Sequence, residues 1–527
     1  MKALGLGRWQ DLLALGLAVA TCGVGLHWST RVAGGSDSYG YVSQALLWST
    51  GKVGAQPPVI ADAPWKEAVA TLAPLGYRVA PDGKGVVPQY PPGLPLLFAL
   101  AHRVGGMTAL YGLVPLLGGL AVWLTYGLAR RTLSPGMALL PPLLLATTPS
   151  FIHQLFQPMS DVPATAAWLA AVACAARALA ADDPTSHTGR AWLVLTGLVG
   201  SVAVLIRPNL APLAMVLTLW CAWPGRRLRS SAFLLLGALP GLALLATLNE
   251  VWYGSPLRSG YGTFGYLFSL ERVLPNLRHY AGWWVAQQTA FLALALAAPL
   301  AAGGDASPTS RRWRVFTLAV ALVVIAAYLP YFEFTDWTYL RFLLPAVPWL
   351  AILAVECAGR LVEPMRFGRA LVVAVVAAVV GFCSWRAVDN GSFQLDHAEA
   401  RYPMVAEAVT RRCEANAVFV TLQHSGSLRF YADRTTVRWD VMPPHGLDRA
   451  VAWLEASGRP VYFLLEDWEV EGIRERFPRS LYAERQGEPL GTWGGARLSR
   501  PTVFRAPSRR RPTSRPRPAV RRPARPD

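Results

Sequence analysis

The stretch MTALYGLVPLLGGLAVWLTYGLARR, residues 107–131, decides the fold class. No charge interrupts it from Met107 to Ala129, and two arginines close it. About 20 such residues are what a helix needs to cross the hydrocarbon core of a bilayer. Similar runs lie at 12–27, 136–152, 162–180, 191–206, 208–223, 231–250, 283–300, 315–332, 340–357 and 370–386, so the reading is a polytopic, mainly α bundle of about eleven spans. The whole chain agrees: 527 residues, 53% hydrophobic, only 16% charged, with a mean hydropathy of +0.31. Soluble domains carry about a quarter charged residues, which argues against a water-soluble enzyme.

The formal charge of +18 could point to nucleic acid, but its placement does not. From Arg505 onward nine arginines face the single acid Asp527, and much of the rest falls in short loops. Arg130-Arg131, Arg190, Arg226-Arg227-Arg229, Arg311-Arg312-Arg314 and Arg360, Arg366, Arg369 all fall in alternate loops of the eleven-span count. The positive-inside rule makes those loops cytoplasmic. The N-terminus is then inside and the C-terminus outside, in the inner (plasma) membrane of a bacterial cell. This count requires 191–223 to split at Arg207-Pro208; one span there would reverse every later loop. The run 12–27 follows Lys2 and Arg8 without a small-residue cleavage site, so it reads as an uncleaved span. Segment 94–104, with His102 and Arg103, is too short to cross and reads as an interfacial helix. Of six cysteines only Cys413 lies in polar sequence, and no CxxC pair exists, so neither zinc nor a disulfide framework is indicated.

Residues 1–386 therefore form the membrane domain, with a large external loop at 28–106. From 387 to 500 the pattern becomes α/β: apolar β-rich runs (417–422, 460–465) alternate with helix-like stretches (447–456, 469–477). Residues 501–527 are Arg, Pro and Ser, the composition of a disordered tail.

Ionisable groups beside a membrane are costly and point to function. Asp37, in GSDSYGY after the first span, is a carboxylate that can deprotonate an acceptor hydroxyl or bind a divalent metal; the simpler reading is that Ser36 or Asp37 caps the helix starting at Tyr39. Asp161, in PMSDVP, has the same two readings, with Pro163 in the first turn. Arg341, in YLRFLLP, can grip a phosphate through paired hydrogen bonds, or snorkel to headgroups within an aromatic belt of Trp337 and Tyr339. Arg207 is a similar candidate. QYPPGLP (89–95) reads as a stiff turn that starts a helix. Arg258, Tyr261, Arg278, His279 and Tyr280 read as loop surface, and so does His424. No P-loop, GxGxxG, HExxH or GxSxG stands in its required context.

In order along the chain, SDSYGY (36–41), YPPGLPLL (90–97), PMSDVPA (158–164) and YLRFLLP (339–345), followed by an external domain, resemble the GT-C glycosyltransferases. The likeness is to bacterial members of glycosyltransferase family 39, relatives of protein O-mannosyltransferases and aminoarabinose transferases. The resemblance implies a sugar donor on a polyprenyl phosphate, with transfer at the outer face to a protein, lipid or glycan hydroxyl. It assigns Asp37 as the first-loop carboxylate, acting as general base or orienting the acceptor, Asp161 as the acid at the mouth of the fourth span, Arg341 as the cation on the donor phosphate and Tyr90 as part of the loop beneath the headgroup. A divalent metal would sit on Asp37 and Asp161. Two departures stand out: the family's first-loop Asp-Glu pair is Asp37-Ser38 here, and the acidic-basic pair before the proline is Tyr90-Pro91. The competing readings are a polysaccharide polymerase or ligase, a transporter or lipid flippase with charges through the membrane, and a non-catalytic scaffold.

Overall fold

The computed structural model describes residues 9–54, 56, 60, 62–180, 186–222, 229–298, 308–484, 487 and 489–501. The tail from Thr502, and Arg226 and Arg227 of the arginine cluster, lie outside the described residues.

Seven described helices are long and apolar enough to cross a membrane: Trp9–Trp28, Gly93–Ala129, Asp161–Ala180, His187–Ile206, Ser230–Tyr253, Trp337–Leu361 and Gly368–Asp389. Met137–Thr147 and Pro208–Ala222 are apolar but shorter. Pro308–Tyr328 is a further helix whose first turns carry Arg311, Arg312 and Arg314. In lipid a helix satisfies its own backbone, and what then holds helices together is close packing of small residues. A Cβ on Gly197 would lie 1.9 Å from the Leu234 carbonyl oxygen, and one on Gly237 would lie 1.9 Å from that of Val194. Those two glycines bring His187–Ile206 and Arg229–Tyr253 into backbone contact.

The breaks follow local chemistry. Gly93–Ala129 kinks at Gly105 and Gly106, the latter at φ +63°, a conformation glycine adopts without cost; 93–104 is thereby set off from the span. Arg207 (φ −141°, ψ 89°) ends one helix and Pro208 begins the next short one, the split that the arginine loops required. Two expected spans differ. The run 136–152 is interrupted at Thr148, extended at ψ 123° because Pro149 disfavours helix in the residue before it. At 283–300 there is no single span: Val273–Gln288 stops at Thr289, whose φ is +63°. A 3-10 run, Phe291–Ala297, follows, with Phe291, Leu292 and Ala295 buried in the main core.

In the long first loop β1 (Tyr77–Val79) pairs antiparallel with β2 (Val86–Pro88). The C-terminal part holds β3 (Val418–Val420), β4 (Thr435–Val437), β5 (Val461–Glu466), β6 (Pro489–Trp493) and β7 (Ala496–Ser499), in one sheet of order β4-β3-β5-β7-β6. β4, β3 and β5 are parallel, while β7 runs antiparallel to both β5 and β6. Val405, Val409 and Leu428 cover one face; Leu447, Val451, Leu454 and Ile473 cover the other. Ile60, Trp65 and Leu72 join that second face, and Thr71 accepts the Arg438 amide at 2.7 Å. The long loop after the first span thus supplies part of this core, so the chain is not divided cleanly at 387. β3 leads to Ser425–Ala432 on one face and β4 to Leu447–Ala456 on the other. The carboxyl ends of the parallel strands therefore open onto the first loop, where Ser425 accepts the Leu75 amide at 3.1 Å and Gly426 lies against the Tyr39 ring.

Candidate active site

Four charged side chains from distant stretches of sequence line one cavity of about 170 Å³, with Tyr41, Tyr90, Ser160, Asn209, Tyr261, Tyr328, Tyr331 and Tyr339. Asp37 opens the helix Asp37–Ser49. Its Oδ2 accepts from Arg341 Nη2 at 2.9 Å and its Oδ1 from the Tyr90 hydroxyl at 2.5 Å. The Ser36 hydroxyl lies 2.6 Å from that of Tyr90 and makes no cap on the helix. Asp161 opens Asp161–Ala180 and faces Arg207 Nη1 at 2.8 Å, without the alignment of a hydrogen bond. The Asp161 side chain is 1% exposed and both its oxygens lack a hydrogen-bond partner. Neither aspartate is spent on a cap.

The local sequence explains why these residues meet. A Cβ on Gly93 would lie 2.3 Å from the Ile206 amide nitrogen, so glycine there lets Tyr90-Pro91 approach Arg207. A Cβ on Gly40 would lie 2.4 Å from the Tyr90 ring, so glycine also lets that ring reach Asp37. The Tyr41 hydroxyl, one turn along from Asp37, donates to Ser160 Oγ at 3.1 Å, tying the two aspartate helices together. Arg341 lies 5.3 Å from the ring centres of both Tyr339 and Phe342, and Arg207 lies 5.2 Å from Phe342. The aromatic residues of YLRFLLP thus hold the guanidiniums in place rather than forming only a lipid belt.

Burial, followed by the neighbouring Asp37 charge, raises the Tyr90 phenol well above its usual range. Burial does the same to Tyr41 and Tyr261. Tyr90 and Tyr41 accordingly donate, to Asp37 and Ser160.

Asp37, Tyr90, Asp161, Arg207 and Arg341 are all brought together. Tyr261, read from sequence as loop surface, lines the cavity too and packs edge-on against Tyr90, ring centres 6.0 Å apart. No local pattern marks it; a count of tyrosines at span ends would have. Arg258 donates to the Tyr253 carbonyl at 3.4 Å, and His279 lies 3.7 Å from Glu333; neither lines the cavity. His424 is not on the surface. It is fully buried, because Glu466, 3.4 Å from its Nε2, and the Tyr402 ring, 5.0 Å away, close over the loop after β3.

The metal reading fares less well. Among the described residues no three His, Cys, Asp or Glu side chains gather, and each aspartate already faces a guanidinium. A divalent ion shared by Asp37 and Asp161 would have to compete with the two guanidiniums for these carboxylates.

A membrane helix bundle with a polar cavity at one end and an α/β domain over the loop there is a fold that this chain shares with solved structures. Residues 89–252 match the family model described as dolichyl-phosphate-mannose-protein mannosyltransferase. Among solved structures, ArnT from Cupriavidus metallidurans bound to undecaprenyl phosphate superposes with a TM-score of 0.58 at 14% identity, covering 93% of this chain and 97% of that one. The oligosaccharyltransferase of Archaeoglobus fulgidus, tethered to an acceptor peptide, gives 0.52 at 13% identity, with 91% and 73% covered. The arabinofuranosyltransferase AftD from Mycobacteria gives 0.51 at 13%, with 95% and 40% covered. No curated protein matches the chain in sequence.

Proposed function

We propose that this protein is a membrane glycosyltransferase that moves a sugar from a polyprenyl-phosphate donor to an acceptor hydroxyl of a protein, lipid or glycan. The single observation that carries this reading is the Asp37–Arg341 and Asp161–Arg207 quartet within one tyrosine-lined cavity. Positive guanidiniums in a partly dehydrated crevice stabilise charge that develops on a leaving phosphate, and a carboxylate beside them serves the acceptor. The acceptor oxygen attacks the anomeric carbon, the bond from that carbon to the phosphate oxygen breaks, and Asp37 receives the acceptor proton. Arg341 and Arg207 hold the departing polyprenyl phosphate, while Tyr90 fixes Asp37 through its hydrogen bond. One displacement inverts the anomeric centre. The transferred group is a hexosyl or pentosyl unit, and no step runs through a metal.

The arginine loops support an orientation in a bacterial inner membrane with the arginine-rich end toward the cytoplasm and the quartet toward the outside. A flippase or transporter would need charges along a through-path. The charged cluster here gathers at one end, which favours chemistry on one face.

The test is transfer in proteoliposomes from a labelled polyprenyl-phosphate sugar, comparing wild type with Asp37→Asn. Loss of turnover by two orders of magnitude or more is expected; equal turnover would remove Asp37 as the base.

A further inference from the structure

The opposite end of the bundle holds a second polar cavity, of about 1030 Å³, that the transfer reaction does not use. It lies between the turn after Gly93–Ala129 (Thr132, Leu133, Ser134) and the turn joining Trp337–Leu361 to Gly368–Asp389. Trp337–Leu361 carries Arg341 near one end and Glu356 near the other, roughly 25 Å apart by helical rise. That is close to the thickness of a hydrocarbon core, so the two cavities belong to opposite membrane surfaces.

Glu356 lines the second cavity and is 5% exposed. Its Oε1 accepts from Arg314 Nε at 2.7 Å and from Arg360 Nη2 at 3.0 Å. Its Oε2 is buried with no hydrogen-bond partner, and so is Arg314 Nη1. Buried charged groups with an unmet hydrogen bond are rare because desolvation is costly, so a ligand in this cavity has one acceptor and one donor to satisfy. Arg360, Arg366 and Arg369 line the same cavity with Glu363, so three guanidiniums there face two carboxylates, Glu356 and Glu363; among the described residues neither Arg366 nor Arg369 is paired with a carboxylate. Met365 and Phe367 also line it, and are 56% and 71% exposed, giving the mouth an apolar rim.

We propose that this cavity binds the headgroup of an anionic glycerophospholipid from the leaflet on the arginine-rich side. The phosphate is received by Arg366 and Arg369, a headgroup hydroxyl donates to Glu356 Oε2, and the acyl chains lie against Met365 and Phe367. Charge complementarity selects the occupant: basic pockets between helices on that side are where anionic headgroups bind, and a bare phosphate would leave both the apolar rim and the Glu356 acceptor unused.

The full chain, delipidated in mild detergent, is examined by native mass spectrometry after adding phosphatidylglycerol, phosphatidylcholine or inorganic phosphate. The expected result is retained phosphatidylglycerol, at least tenfold less retained phosphatidylcholine, and no displacement by millimolar phosphate. Arg366→Gln with Arg369→Gln, both exposed positions without an internal ion pair, should lower phosphatidylglycerol retention tenfold or more. Arg411→Gln, in the C-terminal domain, should leave retention unchanged. Equal retention of the two lipids, an unaltered double variant, or displacement by phosphate would each overturn the proposal.

Discussion

Replacing Arg341 by lysine keeps the positive charge and removes the planar fork, which separates two roles for this residue. If Arg341 merely reached for lipid headgroups, lysine would do as well. In the structure its guanidinium is bonded to Asp37 Oδ2 at 2.9 Å, is held between Tyr339 and Phe342, and has a side chain only 14% exposed. Lysine offers a compact ammonium that neither stacks nor presents two parallel donors. Removing a donor to a developing oxyanion costs about 2.7–4 kcal/mol, or 10²–10³ in kcat; that is the expectation for Arg341→Gln. Lysine recovers the charge and loses the geometry, so a loss of about 1.4 kcal/mol, tenfold, is expected. The assay is steady-state transfer in proteoliposomes with kcat and KM measured separately. An Arg341→Lys enzyme within twofold of wild type would refute the assignment of Arg341 to the phosphate, and so would identical losses for lysine and glutamine.

Tyr90→Phe removes the 2.5 Å hydrogen bond to Asp37; kcat should fall about ten- to a hundredfold with KM little changed, a charge-assisted hydrogen bond being worth about 1.5–3 kcal/mol, and an unchanged kcat would free Tyr90 of any positioning role. Gly237→Ala sets a methyl 1.9 Å from the Val194 carbonyl oxygen; overpacking of about 1–3 kcal/mol outweighs the gain in helix propensity of just under 1 kcal/mol, so Tm should fall, and a rise would show that the two helices part easily. Treatment with EDTA should leave turnover unchanged, because each aspartate is already paired with an arginine; activity lost on chelation and restored by a divalent ion would reverse that. Burial holds the His424 imidazole below its usual pKa of 6.5, against the pull of Glu466, and Glu466 itself lies below 4.5, where its hydrogen bonds and charges from His424, Trp468 and Arg401 outweigh its burial. On acidification the unfolded chain takes up a proton at His424 before the folded chain does, so stability drops as pH falls below 6.5, by at most about 1.4 kcal/mol per pH unit. Glu466 adds a second drop below 4.5. Tm followed from pH 7.5 to 5 should therefore decline in wild type and flatten in His424→Gln; equal slopes would discount the histidine.

Hydropathy and arginine placement carried much of the bundle, because a bilayer imposes length and charge rules that act residue by residue. The Arg207-Pro208 split was legible because proline and a loop charge coincide there. The break at Thr289 was not, since Gln287-Gln288-Thr289 is a short polar step inside an apolar run and glutamine is itself a good helix former. The candidate residues could be named one at a time, yet their meeting could not. Gly93 against Ile206 and Gly40 against Tyr90 are contacts between distant segments that leave no periodic trace. The same holds for His424, a polar loop residue by local sequence, which is buried by Tyr402 and Glu466 from elsewhere in its domain. Ile60, Trp65 and Leu72 look like loop until the sheet they cover is seen.

A structure determined with polyprenyl phosphate bound tests the central claim most directly. Its phosphate should lie within hydrogen-bond reach of both Arg341 and Arg207, in the cavity that holds Asp37. A phosphate seated at the arginine-rich end, or away from both of these side chains, would contradict it.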